Sequence, residues 1–161
     1  MKRNQSPILE PLADQINHDP SRPPSHLTGL QLRDLIIDAL NDNSLEWPIN
    51  FEYMTKHKWI KYMKQNPNYY MHQISDPSVF HAYERLLLSL VSKLLKRKIC
   101  LISLFPEDKN EIFKPWWPTS SRPYYLFGCN KANYDNFYIS IFKDESNEPE
   151  TFATQKCCCL Q

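Results

Sequence analysis

The side chains best suited to nucleophilic chemistry in this chain of 161 residues are five cysteines and five histidines. The cysteines are Cys100, Cys129 and the run Cys157 to Cys159; the histidines are His18, His26, His57, His72 and His81. A thiol is mostly protonated near neutral pH. An adjacent imidazole makes the thiolate, and an acceptor on the far ring nitrogen fixes the tautomer. No histidine is set beside a cysteine by its spacing. Cys129 comes nearest to a catalytic setting, four residues before Asn133, in the stretch Gly128-Cys129-Asn130-Lys131-Ala132-Asn133-Tyr134-Asp135. That stretch reads as a polar turn between two apolar strands, a place where a rigid scaffold can hold a base. The residue standing there is Asn133, which cannot accept and return a proton near pH 7.

Other chemistries fare worse. The only glycines are Gly29 and Gly128, so no glycine-rich loop can cradle phosphates. No paired C-x-x-C and no H-E-x-x-H pattern is present, and no metal or cofactor is expected. Lys56, Lys58, Lys61 and Lys64 form a cationic helix face, read as solvated surface because no aromatic platform is interleaved with it. Net charge is +1, which gives no field pointing to nucleic acid.

The last four residues, Cys158-Cys159-Leu160-Gln161, fit the C-a-a-X prenylation pattern, with Gln favouring farnesyl on Cys158. Cys157 could carry a second lipid, which stable anchoring requires. The acidic segment before it argues the other way, as does the chance that these residues only mark where the frame ends. Three adjacent cysteines are poorly arranged for one metal ion.

The elements that would position these groups follow from length and pattern. A chain of this size suits one domain and needs no disulfide or metal staple. With 42% hydrophobic residues it can form a packed core. No apolar run approaches the roughly 20 residues of a membrane helix, and Met-Lys-Arg-Asn-Gln-Ser lacks an apolar continuation, so no export signal is read. A reducing compartment, cytoplasm or nucleus, is expected, with membrane association only if the C-terminal cysteines are lipidated. The chain is expected to be a monomer.

Residues 1–8 read as loose. Leu9, Leu12, Ala13 and Ile16 mark a short amphipathic helix with Pro11 in its first turn. Thr28 and Gln31 form a capping-box pattern before a helix whose apolar face is Leu32, Leu35, Ile36, Ala39 and Leu40. A further helix is expected over Phe51 to Met63, anchored by Trp59 and Tyr62. Asp76-Pro77-Ser78 opens the longest helix, with Phe80, Tyr83, Leu87, Leu90, Val91, Leu94 and Leu95 as its buried stripe. Lys96-Arg97-Lys98 at its end complements the helix dipole. Ile99 to Phe105 reads as a central strand buried on both faces, with Cys100 a small core residue. Ile112 to Pro118 is a short strand entering a proline-rich loop, where Trp116 and Trp117 are core filler or an exposed contact. Tyr124 to Phe127 and Phe137 to Phe142 are the last strands. Residues 9–142 thus form one α+β domain, a small mixed sheet packed against helices. Residues 143–161 are an acidic tail, expected to be disordered, that ends in the cysteine cluster.

Three blocks in this order resemble the OTU (ovarian tumour) family of papain-like cysteine deubiquitinases. Leu12-Ala13-Asp14-Gln15-Ile16, with His26 and Leu32-Arg33, is similar to the family's "F-R-A-L-A-D-Q-L" helix and its following "H…L-R". Glu84, Leu88-Ser89, Leu94 and Ile99 to Ile102 resemble "E-L-x-A-L-S-x-x-L-x-x-x-I-x-V". Tyr125-Leu126 and Asn133-Tyr134-Asp135 match the strand and the "H-Y-D-S" turn. The blocks cover most of residues 4–142.

The resemblance implies an OTU-like fold and a site for hydrolysing the isopeptide bond between ubiquitin and a lysine. In the family the Cys of "D-G-N-C-L-F-R-A" attacks and the His of "H-Y-D" takes its proton. Aligned without a gap, the family's Asp falls on Asn4, its Gly on Gln5 and its nucleophile on Pro7; its base falls on Asn133 and its orienting acid on Asp135. Ser6 is adjacent to the nucleophile position but out of register, and it would still need a base. Losing one member of such a unit removes most of the rate, and here two are replaced. The resemblance therefore implies an inactive OTU-like domain that binds ubiquitin, a ubiquitinated protein or another protein partner. The alternative is an active OTU-type deubiquitinase with a relocated nucleophile or one on a missing N-terminal extension. A chance likeness of an unrelated α+β domain is a third reading.

Overall fold

Ile99 sets the register of the sheet: it pairs with Phe113 on one side and Tyr124 on the other. The computed structural model describes residues 8–65, 77–103, 109–129 and 137–141. Within them the strands are β1 (Ile99–Ser103), β2 (Glu111–Phe113), β3 (Tyr124–Cys129) and β4 (Phe137–Ile141), in the spatial order β2-β1-β3-β4. β1 runs parallel to β3, and the other two pairs are antiparallel. β2 ends and β3 begins opposite the same residue, so the connection 114–123 passes the N-terminal end of β1. Among the described residues four helices precede the sheet, giving the expected mixed class of helices on a small mixed sheet.

α1 (Leu9–Asn17) packs on β3 and β4. Pro11 is tolerated in its first turn because a backbone N–H there would have no intrahelical acceptor. Ile8, on the loose side of the expected boundary, is buried with Leu9 and Leu12. α2 (Gly29–Asn41) starts at the expected capping box: Gln31 N–H donates to Thr28 Oγ1 (3.2 Å) and Thr28 N–H to Gln31 Oε1 (2.9 Å). It ends with Asn43 in the left-handed region and Leu45 N–H donating back to Ala39 O.

Several details of the helices differ from expectation. Leu35 is 47% exposed, and Ile37 is buried instead. α2 packs on α1, α3 and α4, so its buried arc turns toward Ile37. The helix expected from Phe51 is α3 (Lys56–Gln65). Phe51 N–H is held in a turn by Pro48 O, and Thr55 Oγ1 accepts from Lys58 N–H at the true start. Lys56 leaves the solvated lysine face: its ammonium donates to Leu40 O at the C-terminal end of α2. Trp59 is fully buried, and Tyr62 packs partly against the core.

α4 (Pro77–Leu95) has its proline at the first helical position, as expected. Its buried surface is wider than the expected stripe and includes Leu86 and Leu88, since it packs against α2 and β2. β1 is central but not buried on both faces. Ile99 and Leu101 join the core formed with the helices, while Cys100 and Ile102 alternate to the other face and are half-buried. Ile112, paired with Cys100, is largely exposed. Among the described residues no helix is long and apolar enough to cross a membrane. Asp76, the lipidation candidates Cys157 and Cys158 and the segment 143–161 lie outside the described residues.

Candidate functional site

The two ends of the sheet differ in chemistry. Ser103 and Gly128 are paired near one end, where β3 leaves through Cys129 and β4 enters at Phe137. The family positions expected to form a catalytic site, Asn4, Pro7, Asn133 and Asp135, lie outside the described residues, as does Ser6. Gln15 is buried on α1, and its Oε1 accepts from the backbone N–H of Tyr125 on β3 (3.3 Å). Glu84 and Leu88 are buried on α4, which feeds β1. The described parts of the three resembling blocks thus lie on α1 and α2, on α4 with β1, and on β3, and contribute to one core.

The thiol and imidazoles within the described residues are dispersed. Cys100 sits on β1, half-buried. Burial raises its thiol above the ordinary value by more than Lys98 lowers it, which disfavours the thiolate. His18 follows α1, with Nδ1 2.9 Å from Asp14 O. His26 and His57 are exposed. No group of three or more His, Cys, Asp or Glu among the described residues is arranged to hold a metal ion.

The opposite end of the sheet holds a charged cluster that the sequence did not reveal. α4 ends with Lys96 in the left-handed region (φ 52°), and Arg97 N–H donates back to Ser92 O. This turn aims Arg97 inward. Its Nη1 lies 2.8 Å from Asp19 Oδ2 and donates to Arg122 O (3.2 Å), while Nη2 donates to Ser21 Oγ (3.0 Å). The guanidinium also stands 4.7 Å from the centroid of the Tyr124 ring. Tyr124 Oη donates to Asp19 Oδ2 (2.7 Å), and Ser21 Oγ donates to Asp19 Oδ1 (2.6 Å).

The expectation that Lys96-Arg97-Lys98 is a surface cluster at a helix end is therefore corrected at Arg97, which is buried and paired. Burial pushes the Asp19 carboxyl up. The hydrogen bonds from Ser21 and Tyr124 and the charge of Arg97 outweigh that and hold it below 3.8. Burial and then the bond to Asp19 push the Tyr124 phenol up to about 12. Arg22 adds a second cation: it donates to Leu95 O, with Nε 3.7 Å from Asp19.

Comparison with protein-family models, with curated proteins and with solved structures finds no match to this chain.

Proposed function

We propose that this chain is an OTU-like domain without a working Cys–His pair, which acts by binding ubiquitin or a ubiquitinated protein. The observation that carries the reading is the bond from Tyr125 N–H to Gln15 Oε1. It joins the first and third resembling blocks across the core, as a shared scaffold requires. The residue types at Pro7 and Asn133 supply neither a thiol nor an imidazole, so the peptidase step has no nucleophile and no base there.

The reading is tested on the full chain with a ubiquitin suicide probe and with a ubiquitin titration followed by NMR. The expected result is no covalent label on any cysteine, with saturable shifts on ubiquitin. A label that disappears on Cys129→Ser would replace the inactive domain with an active deubiquitinase using a relocated nucleophile. Absence of both label and shifts would remove ubiquitin from the reading altogether.

A further inference from the structure

A groove of about 780 Å³ opens where the 114–123 connection passes the junction of α4 and β1. Its ionisable lining residues are Arg22, Lys93, Lys96 and Arg97, with no Asp or Glu among them. The chain as a whole is nearly neutral at +1, so this segregation is local. Arg97 is committed to Asp19, which lies behind the groove wall. The C-terminal end of α4 adds about half a negative charge. Four cations against one carboxylate and one helix end leave an excess of roughly two and a half positive charges. Among the described residues neither Lys93 nor Lys96 is joined to a carboxylate.

The other wall is aromatic. Trp116 is 53% exposed and Trp117 78% exposed, although large aromatic side chains gain most by burial. Lys93 Nζ stands 5.0 Å from the centroid of the Trp116 ring, which holds one ammonium at the mouth and leaves Trp117 as the open platform. The volume falls within the range of small-ligand sites. Among the described residues these four cations gather on one groove, which suits a compact anion more than a strand. An indole face offers more planar area than a phenyl ring covers and suits a fused heterocycle.

We propose that this groove binds a nucleoside phosphate, with the phosphate held by Lys93 and Lys96 and the base stacked on Trp117. The site stands apart from the ubiquitin reading, because it lies beside the starts of β1 and β3 and the β3–β4 turn leaves from the other end of β3.

The test uses the full chain labelled with nitrogen-15, which has four indole N–H signals, from Trp47, Trp59, Trp116 and Trp117. Adenosine monophosphate is expected to shift the Trp116 and Trp117 signals saturably and leave those of Trp47 and Trp59 in place. Adenosine, inorganic phosphate and phenyl phosphate are each expected to bind at least ~10-fold more weakly, since the first lacks the phosphate, the second lacks the base and the third offers the indole only a single ring. Trp117→Ala and the pair Lys93→Gln with Lys96→Asn are expected to weaken binding by ~10-fold or more. Asn tolerates the left-handed backbone at position 96, and the unshifted Trp47 and Trp59 signals report that each variant is folded.

The proposal is overturned if millimolar nucleotide moves neither indole, or if adenosine or phenyl phosphate binds as well as the nucleotide. It is equally overturned if folded variants bind like the parent. Binding of a short oligoadenylate ~100-fold tighter than the mononucleotide would replace it with a single-strand site.

Discussion

Arg97 Nη1 lies 2.8 Å from Asp19 Oδ2, and both side chains are more than nine-tenths buried, at 9% and 5% exposure. The pair joins the end of α4 to the connection after α1, and through Tyr124 it reaches the start of β3. Breaking a buried pair by removing one partner leaves an uncompensated charge and costs about 3–5 kcal/mol. Arg97→Ala is expected to lower stability by that amount in urea denaturation. Arg97→Lys should recover only part of it, because an ammonium cannot reach Asp19, Ser21 and Arg122 with one planar fork. The double variant Asp19→Asn with Arg97→Met should be less destabilised than the sum of the singles. Additive costs would show that the two residues act independently.

The same contacts predict an acid limb. The folded pKa of Asp19 lies below its unfolded value, so its contribution is fully present above about pH 4 and is lost as pH falls through the lower folded value. Arg97, Arg22 and Tyr124 are the groups facing it. Urea midpoints measured from neutral to strongly acidic pH should fall more steeply for the parent chain than for Asp19→Asn. Parallel curves would assign the acid sensitivity to other carboxyls.

Tyr124 gives the opposite limb. Its phenol is raised to about 12 from an ordinary value near 10. A raised folded pKa contributes stability that is complete below the unfolded value and is lost as pH rises through the folded one. Burial also raises the phenols of Tyr62, Tyr83 and Tyr125, so ultraviolet titration should show several tyrosines ionising late, Tyr124 among the last and together with unfolding, and Tyr124→Phe should remove one phenol from that late group. At neutral pH the same change removes a hydrogen bond to an ionised carboxylate and should cost about 1.5–3 kcal/mol. A late limb unchanged in Tyr124→Phe would show that this phenol is not among the shifted ones.

Local signals were readable and long-range ones were not. The capping box at Thr28 and Gln31 is complete within four residues, so sequence alone locates the start of α2. The apolar runs of β1 and β3 and the Pro77 start of α4 are local in the same way. Leu35 and Ile37 both fit a helical period, and only the neighbours of α2 decide which is buried. Lys56 looks like its fellow surface lysines until the C-terminal end of α2 is placed beside it.

Arg97 is the largest miss, because two charged neighbours hide it. What turns it inward is the left-handed turn at Lys96 and a carboxylate far away in sequence. The signal that could have flagged it is its place two residues before the buried Ile99. Of the candidate catalytic positions, the missing thiol and imidazole are legible in the residue types at Pro7 and Asn133. The cationic groove was not legible, since its walls come from four separate segments.

Gly29 supplies a prediction whose sign runs against helix propensity. Replacing glycine by alanine within a helix ordinarily stabilises by about 0.5–1 kcal/mol. Gly29 opens α2 against the first turn of α1, and its N–H donates to Glu10 Oε1 (2.8 Å). Its backbone is not in the left-handed region, so strain is not the reason for glycine here. Space is the reason: an added Cβ would lie 2.7 Å from Glu10 Oε1 and 3.0 Å from the Glu10 backbone nitrogen. The carboxylate can swing aside, at the loss of its bond to the Gly29 N–H, but the backbone nitrogen can move only by separating α1 from α2. Gly29→Ala is therefore expected to destabilise by about 1–3 kcal/mol, the usual cost of overpacking. Adding Glu10→Ala should recover only part of this, since it removes the carboxylate and leaves the backbone contact. Urea denaturation of the two variants decides: a stabilised Gly29→Ala would mean that the helices separate without penalty, and full recovery would assign the whole cost to the Glu10 side chain.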